Sequence, residues 1–273
     1  MVIGANAPYI THRGVASTVS DGARAEAAFW AGFLRNRNVD AGTAGDGAVA
    51  VAGGYALCVT GTLLDYAIGA GSARAVRPDD LDVVEAFYAA RRLPSRFELS
   101  AATLERDGAL FRERGYGDDG LELAAFAGTL DVLPPEGLVS VRTTTDRRAW
   151  TDLLIRGLAD QSIEAGLLRR TAALNAAAAH VLVIASLDGS DIGVGAAGIA
   201  GDAAVLYSGA VLPAFRGRGA QRAMFAARLY AAAGRGAARA FTKGVAGGAT
   251  ARCAARFGFT GLGTLRRLRR PPE

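Results

Sequence analysis

Hydrophobic and polar positions recur along the chain with different periods, and each period predicts one kind of element. Phe29, Trp30, Phe33 and Leu34 recur at the spacing of one helix face, which predicts a helix over residues 22–35. Short apolar runs predict strands, because Gly, Asp and Pro close each run after a few positions. Helices and strands are mixed along the whole chain, which predicts an α/β fold of the α+β kind.

The predicted elements fall into two series. The first half contains helices over residues 22–35, 78–92 and 101–114 and strands over 49–59, 63–68, 96–99 and 121–130. The second half contains strands over 139–143, 180–187, 192–199, 203–211 and 239–245, a last strand from Phe259, and helices over 147–158, 163–176, 220–233 and 250–257. The segment Leu133-Pro134-Pro135-Glu136-Gly137 is a natural linker, because proline and glycine break regular structure. We therefore expect two domains, residues 1–133 and 138–273.

Charge is divided unequally between the two halves. Residues 1–136 hold 12 Lys and Arg against 18 Asp and Glu, a net charge of −6. Residues 137–273 hold 19 against 8, a net charge of +11. The basic half would attract a polyanion such as a phosphorylated cofactor or a nucleic acid. The tail Arg266-Arg267-Leu268-Arg269-Arg270 would serve either ligand or would be solvated.

Composition argues against several classes of protein. Hydrophobic residues make up 51% of the 273 positions, which supports a packed core and argues against disorder. No run of 18 apolar residues without a charge occurs, and the N-terminus lacks the pattern of a secretory signal. Two histidines and two separated cysteines, Cys58 and Cys253, give no metal-ligand or disulfide framework. We expect a cytoplasmic protein that holds no metal.

The strongest indication of chemistry is the segment Arg216-Gly217-Arg218-Gly219-Ala220-Gln221, between a predicted strand and a predicted helix. Glycines allow several backbone N–H groups to point at one set of oxygens, and a helix start adds partial positive charge. Arginine adds donors whose geometry suits phosphate. The segment therefore predicts a phosphate-binding loop. It is not the P-loop of the NTPases, because no Lys-Ser or Lys-Thr pair follows the glycines.

This loop resembles the pyrophosphate-binding motif of the GNAT superfamily of N-acetyltransferases, which runs Gln or Arg, two residues, Gly, one residue, and then Gly or Ala. Arg216 and Gly219 match the motif, whereas Gln221 stands where Gly or Ala is usual. The helix that ends in Arg256-Phe257-Gly258-Phe259 is similar to a second signature of the superfamily. Cys253 and Ala254 replace the Asn and Tyr that many relatives carry there.

The resemblance implies a tandem protein with two GNAT-like mixed sheets flanked by helices, the second of which carries the acetyl-CoA site. Residues 138–268 follow the superfamily's element order throughout. The first half closes a helix with Gly115-Tyr116, as the second does with Gly258-Phe259, but it has no counterpart of the glycine loop. We therefore interpret the first half as a degenerate GNAT-like repeat.

The resemblance also implies acetyl-CoA as the co-substrate and direct transfer of an acetyl group to a primary amine. Strand residues would pair with the pantetheine arm, loop amides would hold the pyrophosphate, and a strand amide near Val211 would polarise the thioester carbonyl. The implied cofactor-binding residues are Gly209, Ala210, Val211, Arg216, Gly217, Arg218, Gly219, Ala220, Gln221, Arg222 and Cys253.

The residue that accepts the amine proton is less evident. Many relatives use a Glu on the strand before the loop, but this chain has no Asp or Glu between Asp202 and Glu273. The strand itself offers Tyr207 and Ser208, which are the catalytic candidates. Other groups that could take part in proton transfer are Asp160, Glu164, Asp202, Glu273, the thiol of Cys253 and a chain of water molecules.

Three functions stay open on the residues alone. The first is an acetyltransferase that acts on a small-molecule or peptide amine. The second is an acyl-CoA-binding or sensing protein without catalysis, since the usual Tyr and Glu are missing. The third is a basic nucleic-acid-binding module, which is disfavoured because aromatic residues are not interleaved with the basic ones. We expect no nucleic acid or membrane partner, and a monomer or homodimer.

A dinucleotide-binding site is also disfavoured, although residues 193–198 satisfy the pattern G-x-G-x-x-G. That site requires a helix that begins within the motif. Here the motif lies inside a predicted strand, and Gly201-Asp202 turns the chain shortly afterwards.

Overall fold

The computed structural model describes residues 18–37, 45–130 and 137–272. Residues 133–136 of the predicted linker and Glu273 lie outside the described residues. The helices are α1 Val19–Asn36, α2 Pro78–Ala89, α3 Ala101–Glu113, α4 Arg147–Gly157, α5 Ala165–Ala178, α6 Ala220–Ala233 and α7 Ala249–Arg256. The strands are β1 Gly47–Val51, β2 Gly54–Cys58, β3 Ala67–Ile68, β4 Ser95–Ser100, β5 Gly117–Thr129, β6 Ser140–Thr143, β7 Val181–Leu187, β8 Ser190–Ala200, β9 Ala203–Val211, β10 Arg239–Gly244 and β11 Thr260–Arg270.

These strands form one 11-stranded sheet in the order β1-β2-β3-β4-β11-β5-β10-β9-β8-β7-β6. The α/β class is confirmed, but the expectation of two separate sheets is wrong. The reason lies at the centre of the sheet, where the last strand of each half leaves its own half. β5 pairs antiparallel with β10, β11 pairs antiparallel with β4, and β5 and β11 pair with each other. The halves therefore exchange their final strands.

Helices cover both faces of the sheet. Along β7, Val181 and Val183 pack into the cluster that contains α6, whereas Leu182 and Ile184 pack against α4 and α5. α1 shares a core cluster with α5, and α2 and α3 cover the first half on the opposite face. α1 belongs to the first half by sequence, yet Phe29 contacts the ring of Tyr207 at 5.6 Å between centroids. Side chains of α1 are thereby brought to the second half.

The strand predicted over residues 49–59 is a hairpin of two strands. Ala52 and Gly53 form its turn, with φ of 45° and 97°. Positive φ at both positions gives the turn the twist that hairpin strands require. No polar residue marks the break, so the apolar run continues through the turn. The strand predicted over residues 63–68 likewise shortens to Ala67–Ile68. Each predicted helix is present, with its ends shifted by at most three residues.

The arginine-rich tail forms β11, inside the sheet. Its arginines pair with carboxylates of the first half. The sequence had led us to expect either that they bind a polyanion or that they are solvated, and neither describes these pairs. The pairs are Arg266 with Asp118, Arg267 with Glu98 at 3.3 Å, and Arg270 with Glu85 at 2.6 Å. The opposite net charges of the halves are thus matched where the halves meet.

Candidate functional site

β9 and β10 separate towards their carboxyl ends. The two strands run parallel and pair from Ala203 with Arg239 to Leu206 with Thr242. Beyond this point β9 continues to Val211 beside β8, while β10 continues beside β5. A cleft therefore opens between two strands of one sheet. The open edge of β9 can add an extended ligand chain through backbone hydrogen bonds.

β9 carries a bulge at the base of this cleft. The register with β8 shifts between Val194 and Ala196, so that Gly195 alone faces Ser208 and Gly209. Ser208 has a φ of 49°, in the left-handed region that residues other than glycine rarely occupy. Backbone strain of this kind persists where surrounding contacts hold it, and it concentrates at functional sites.

Two buried donors hold the bulge from opposite faces of the sheet. Trp150 donates from Nε1 to the carbonyl oxygen of Gly195 at 3.1 Å. Arg228 donates to the carbonyl oxygens of Ala196 at 3.3 Å and Tyr207 at 3.2 Å. Arg228 is 3% exposed, and burial lowers its pKa to about 10. Its hydrogen-bond partners in the described part of the chain are carbonyl oxygens, so its charge gives the cleft a positive potential.

We expect Arg228→Met to lower the free energy of unfolding by about 1–3 kcal/mol, because buried carbonyl oxygens at the bulge would lose their donor. The measurement is urea denaturation at constant m-value. Arg222→Met is the control, since Arg222 lies on the same helix but is exposed. Equal midpoints for the two variants would contradict a structural role of Arg228 at the bulge.

The glycine loop follows β9 at the outer end of the cleft. A 3₁₀ turn over Pro213–Phe215 leads into it, and Gly217 and Gly219 have φ of 80° and 87°. Both values favour glycine. The first intrahelical hydrogen bond of α6 runs from Ala223 N to Gly219 O, so the amides of residues 220–222 lie before it. The loop therefore ends at a helix start, and its binding of phosphate stays a prediction.

The side chain of Arg216 ties the loop to α4. Its guanidinium contacts both carboxylate oxygens of Asp160 at 2.5 and 2.9 Å and the carbonyl of Gly157 at 3.1 Å. Hydrogen bonding from Arg216 lowers the pKa of Asp160 to about 2. Arg216 therefore fixes the loop, while Arg218 and Arg222 are exposed beside it and carry charge that a phosphate can meet.

Gln221 departs from the motif, and its position explains how the chain accommodates it. Its amide lies over Gly209, where an added Cβ would come within 2.9 Å of Gln221 Nε2. A bare backbone at Gly209 therefore makes room for the longer side chain. Cys253 is buried in the core cluster that contains α6 and α7, and burial raises the pKa of its thiol.

The first half lacks a comparable helix start in its described residues. α2 begins at Pro78, and its first turn contains Asp79 and Asp80. Asp80 pairs with Arg74 at 2.6 Å. Proline has no N–H, and carboxylates at a helix N-terminus repel phosphate. This geometry supports the interpretation of the first half as a degenerate repeat.

A cavity of about 220 Å³ lies where β9 and β10 part. α1 and β5 of the first half and β9, β10 and β11 of the second half line it. Most of its walls are apolar, and its polar side chains are Glu26, Tyr207, Ser208, Thr242 and Lys243. The cavity, the open edge of β9 and the glycine loop thus follow one another along a single stretch of chain.

The catalytic candidates predicted on β9 both line this cavity and both contact α5. Tyr207 donates its hydroxyl to the carbonyl of Asn175 at 3.0 Å, and burial raises its pKa well above the usual range. Ser208 Oγ accepts from Asn175 Nδ2 at 2.7 Å. The tyrosine ring packs on Trp30 with centroids 5.4 Å apart.

Three predicted carboxylate candidates are engaged elsewhere. Asp160 holds Arg216, as described above. Glu164 caps α5 by accepting from two amides at 2.6 Å, which lower its pKa. Asp202 contacts Arg239 at 3.1 Å at the far end of β9 from the cleft. The carboxylate that does line the cavity, Glu26, was missed because it lies in the other half of the sequence.

The predicted strand that contains the G-x-G-x-x-G pattern is confirmed as β8. Its glycines admit side chains from helices on the two faces of the sheet. An added Cβ at Gly195 would come within 2.9 Å of Arg228 Nε, and one at Gly198 would clash with the ring of Phe29. These glycines therefore serve packing between β8 and the helices.

No helix in the described residues is both long and apolar enough to cross a membrane. The same part of the chain contains no group of three His, Cys, Asp or Glu side chains arranged to bind a metal ion.

No protein-family model and no curated protein matches the sequence. Solved structures do match the fold. A GCN5-related N-acetyltransferase from Kribbella flavida superposes with a TM-score of 0.63 at 16% identity, over 94% of this chain and 98% of that one. A GCN5-related N-acetyltransferase from Sphaerobacter thermophilus gives 0.53 at 16% identity, over 75% and 71%. A tandem GNAT protein from the clavulanic acid biosynthesis pathway gives 0.52 at 13% identity, over 68% of each chain.

At 13–16% sequence identity, these matches show a shared fold and nothing further. The element order, the cleft between two parallel strands and the glycine loop at a helix start agree with the resemblance drawn from the sequence. The chain therefore has the GNAT fold of these solved structures, built here on one continuous sheet.

Proposed function

We propose that the protein is an acetyl-CoA-dependent N-acetyltransferase that moves an acetyl group to a primary amine. The observation that carries the proposal is the alignment along one segment of the cavity, the open edge of β9 and the glycine loop. The loop suits the pyrophosphate, because amides before the first hydrogen bond of α6 and positive charge converge there. Acetyl-CoA supplies the activated acetyl group as a thioester.

Different residues of β9 would bind the pantetheine arm and polarise the thioester. Gly209, Ala210 and Val211 would pair with the pantetheine arm through the backbone edge that faces the cleft. The strained bulge at Ser208, held by Arg228, would present backbone N–H groups to the carbonyl oxygen. Ser208 and Tyr207 stay the proposed catalytic residues of this strand, since both line the cavity.

We expect the full chain to bind acetyl-CoA, with an affinity that falls as salt is raised. The loop and the basic second half would neutralise phosphate charges that salt screens. Isothermal titration calorimetry at low and at physiological ionic strength measures both effects. Absence of binding at millimolar acetyl-CoA would refute the proposed function.

A second candidate is an acyl-CoA-binding protein without turnover. The observation that favours it is that the Tyr207 hydroxyl already donates to the carbonyl of Asn175 and so is not available as an acid. Thiol release in the presence of a panel of primary amines separates the two candidates. Release above the rate of acetyl-CoA hydrolysis supports the transferase, and binding without release supports the second candidate.

A further inference from the structure

Glu26 has the position of a reactive carboxylate at the base of the cleft. Among the described residues that line the cavity it is the only carboxylate, and Lys243 is the only cation. Its side chain is 13% exposed, and its Oε2 lies 2.7 Å from Lys243 Nζ. The described structure gives the other oxygen, Oε1, no hydrogen-bond partner. One oxygen is thus anchored and the other is free for a ligand.

The groups around Glu26 form a balanced cluster. Lys243 on β10 also contacts Glu98 on β4, and Arg267 on β11 lies 3.3 Å from Glu98. The Arg267 guanidinium lies over the ring of Tyr66 at 3.9 Å. Two cations face two carboxylates, so Glu98 keeps Lys243 paired when Glu26 gains a proton. The cluster can therefore absorb one proton without leaving an isolated buried charge.

Lys243 itself stays protonated. Burial alone would lower its pKa, but Glu26 and Glu98 raise it above the ordinary value for lysine. A permanently charged ammonium neither accepts a proton nor attacks a thioester. Among the charged groups in the cavity, Glu26 is therefore the one suited to take up a proton.

We propose that Glu26, supplied by the first half, accepts the proton of the acceptor amine, and that the shared cavity selects a primary amine on an apolar body. This inference rests on the acetyltransferase function proposed above. The substrate nitrogen forms a bond to the acetyl carbon, and the carbon–sulfur bond breaks. The amine proton passes to Glu26, and the thiolate that leaves takes a proton from solvent. The products are the amide and the free thiol.

The cavity indicates the class of amine. Cavities of roughly 150 Å³ accept benzene, so the observed volume of about 220 Å³ has room for a ring-sized group. Its apolar walls include Val19, Leu123, Phe126, Val205, Phe241 and Leu262. Apolar walls favour an apolar ligand body and leave a polyol or polyamine body without partners. Phenethylamine is therefore a suitable probe.

The first test compares Glu26→Gln with wild type, using acetyl-CoA and phenethylamine. General-base catalysis contributes roughly 10²–10⁴-fold, so we expect kcat to fall by at least about 100-fold. The acetyl-CoA dissociation constant should stay within about twofold, because the glycine loop is unchanged. Glu105→Gln, on the exposed surface of α3, is the control and should match wild type.

The pH profile distinguishes a reactive role from a structural one. Burial raises the pKa of Glu26, and Lys243 and Arg267 oppose that effect. Only the carboxylate form accepts a proton, so wild-type kcat/KM should fall as pH falls through the pKa of Glu26. In Glu26→Gln the contribution of Glu26 to this fall should vanish, whereas the fall that comes from protonation of the free amine should remain. A variant that keeps wild-type kcat and the same limb would overturn the assignment.

Substrate choice and direct binding complete the test. Phenethylamine should exceed glucosamine and spermidine in kcat/KM by at least about tenfold, and equal values would overturn the apolar selection.

Phenethylamine should also bind the full wild-type chain in the absence of acetyl-CoA. Glu26→Gln should bind it about tenfold more weakly than wild type, and an unchanged affinity would overturn the role of Glu26. If wild type binds phenethylamine but never releases thiol, the transferase and proton transfer to Glu26 are both refuted. The binding comparison then still shows whether Glu26 and the cavity form an amine site.

Discussion

Gly219→Glu is expected to raise the acetyl-CoA dissociation constant by at least about 100-fold. The substitution places a carboxylate at the start of α6, where the amides of residues 220–222 are free for phosphate. Two like charges about 4 Å apart near a protein surface repel by up to about 4 kcal/mol, and about 2.7 kcal/mol corresponds to 100-fold in affinity. Calorimetry with a folded variant measures the effect.

The chain offers a matched control for backbone strain. Gly236 follows α6, has the same φ of 87° as Gly219 and is also exposed, with open space around an added Cβ. Gly236→Glu therefore introduces the same charge and the same left-handed strain, at the other end of the helix. It should lose stability to a similar degree and keep acetyl-CoA affinity. Equal losses of affinity in both variants would show that the loop is an ordinary surface turn.

Deletion of residues 1–136 is expected to abolish folding of the remainder. The isolated second half would lack β5, which lies between β10 and β11 in the sheet. Both neighbours would then expose unpaired edges, and α1 would no longer cover Tyr207. Folded proteins are typically stable by only roughly 5–15 kcal/mol, so the second half has little margin for the loss of a central strand and of a covering helix. Gel filtration and circular dichroism should report aggregated or unfolded material.

Co-expression of residues 1–136 with 137–273 provides the control. The two fragments together contain every strand, so they should assemble into a soluble complex that binds acetyl-CoA. A soluble, monomeric fragment 137–273 with a cooperative thermal transition would contradict the expectation, because it would show that β10 and β11 need no partner from the first half.

Local features of the chain explain why most elements could be predicted. Apolar spacing locates the helices, and turn residues such as Gly201-Asp202 bound the strands of the second half. The hairpin at Ala52-Gly53 was not predicted, because its turn is apolar. The exchange of β5 and β11 was not predicted for another reason. Strand pairing across the halves depends on long-range contacts, and the sequence of each half ends in a strand without indicating which strand will pair with it.

The residues of the candidate site also differ in whether the sequence could indicate them. The glycine loop is contiguous, so the motif alone was enough to propose it, and Gly217 and Gly219 have positive φ there. Its role in binding phosphate stays a prediction. Glu26 lines the cavity but is far from β9 in the sequence. The spacing of residues along the chain does not indicate a contact between two such distant segments. One signal was present, since Glu26 stands among Ala23, Ala27 and Trp30 on the buried side of α1. A carboxylate on the apolar face of a helix indicates a partner or a function.

The position of β11 also determines the order in which the protein can fold during synthesis. β4 and β5 emerge early, but the place between them stays open until residues 260–270 leave the ribosome. Until then two strand edges at the centre of the sheet are unpaired and exposed to association with other chains. Contacts that span most of the chain also slow folding, because their loops must close before any pairing energy is gained. We therefore expect nascent chains arrested before residue 260 to depend on chaperones, and chains in which β11 is complete to depend on them less.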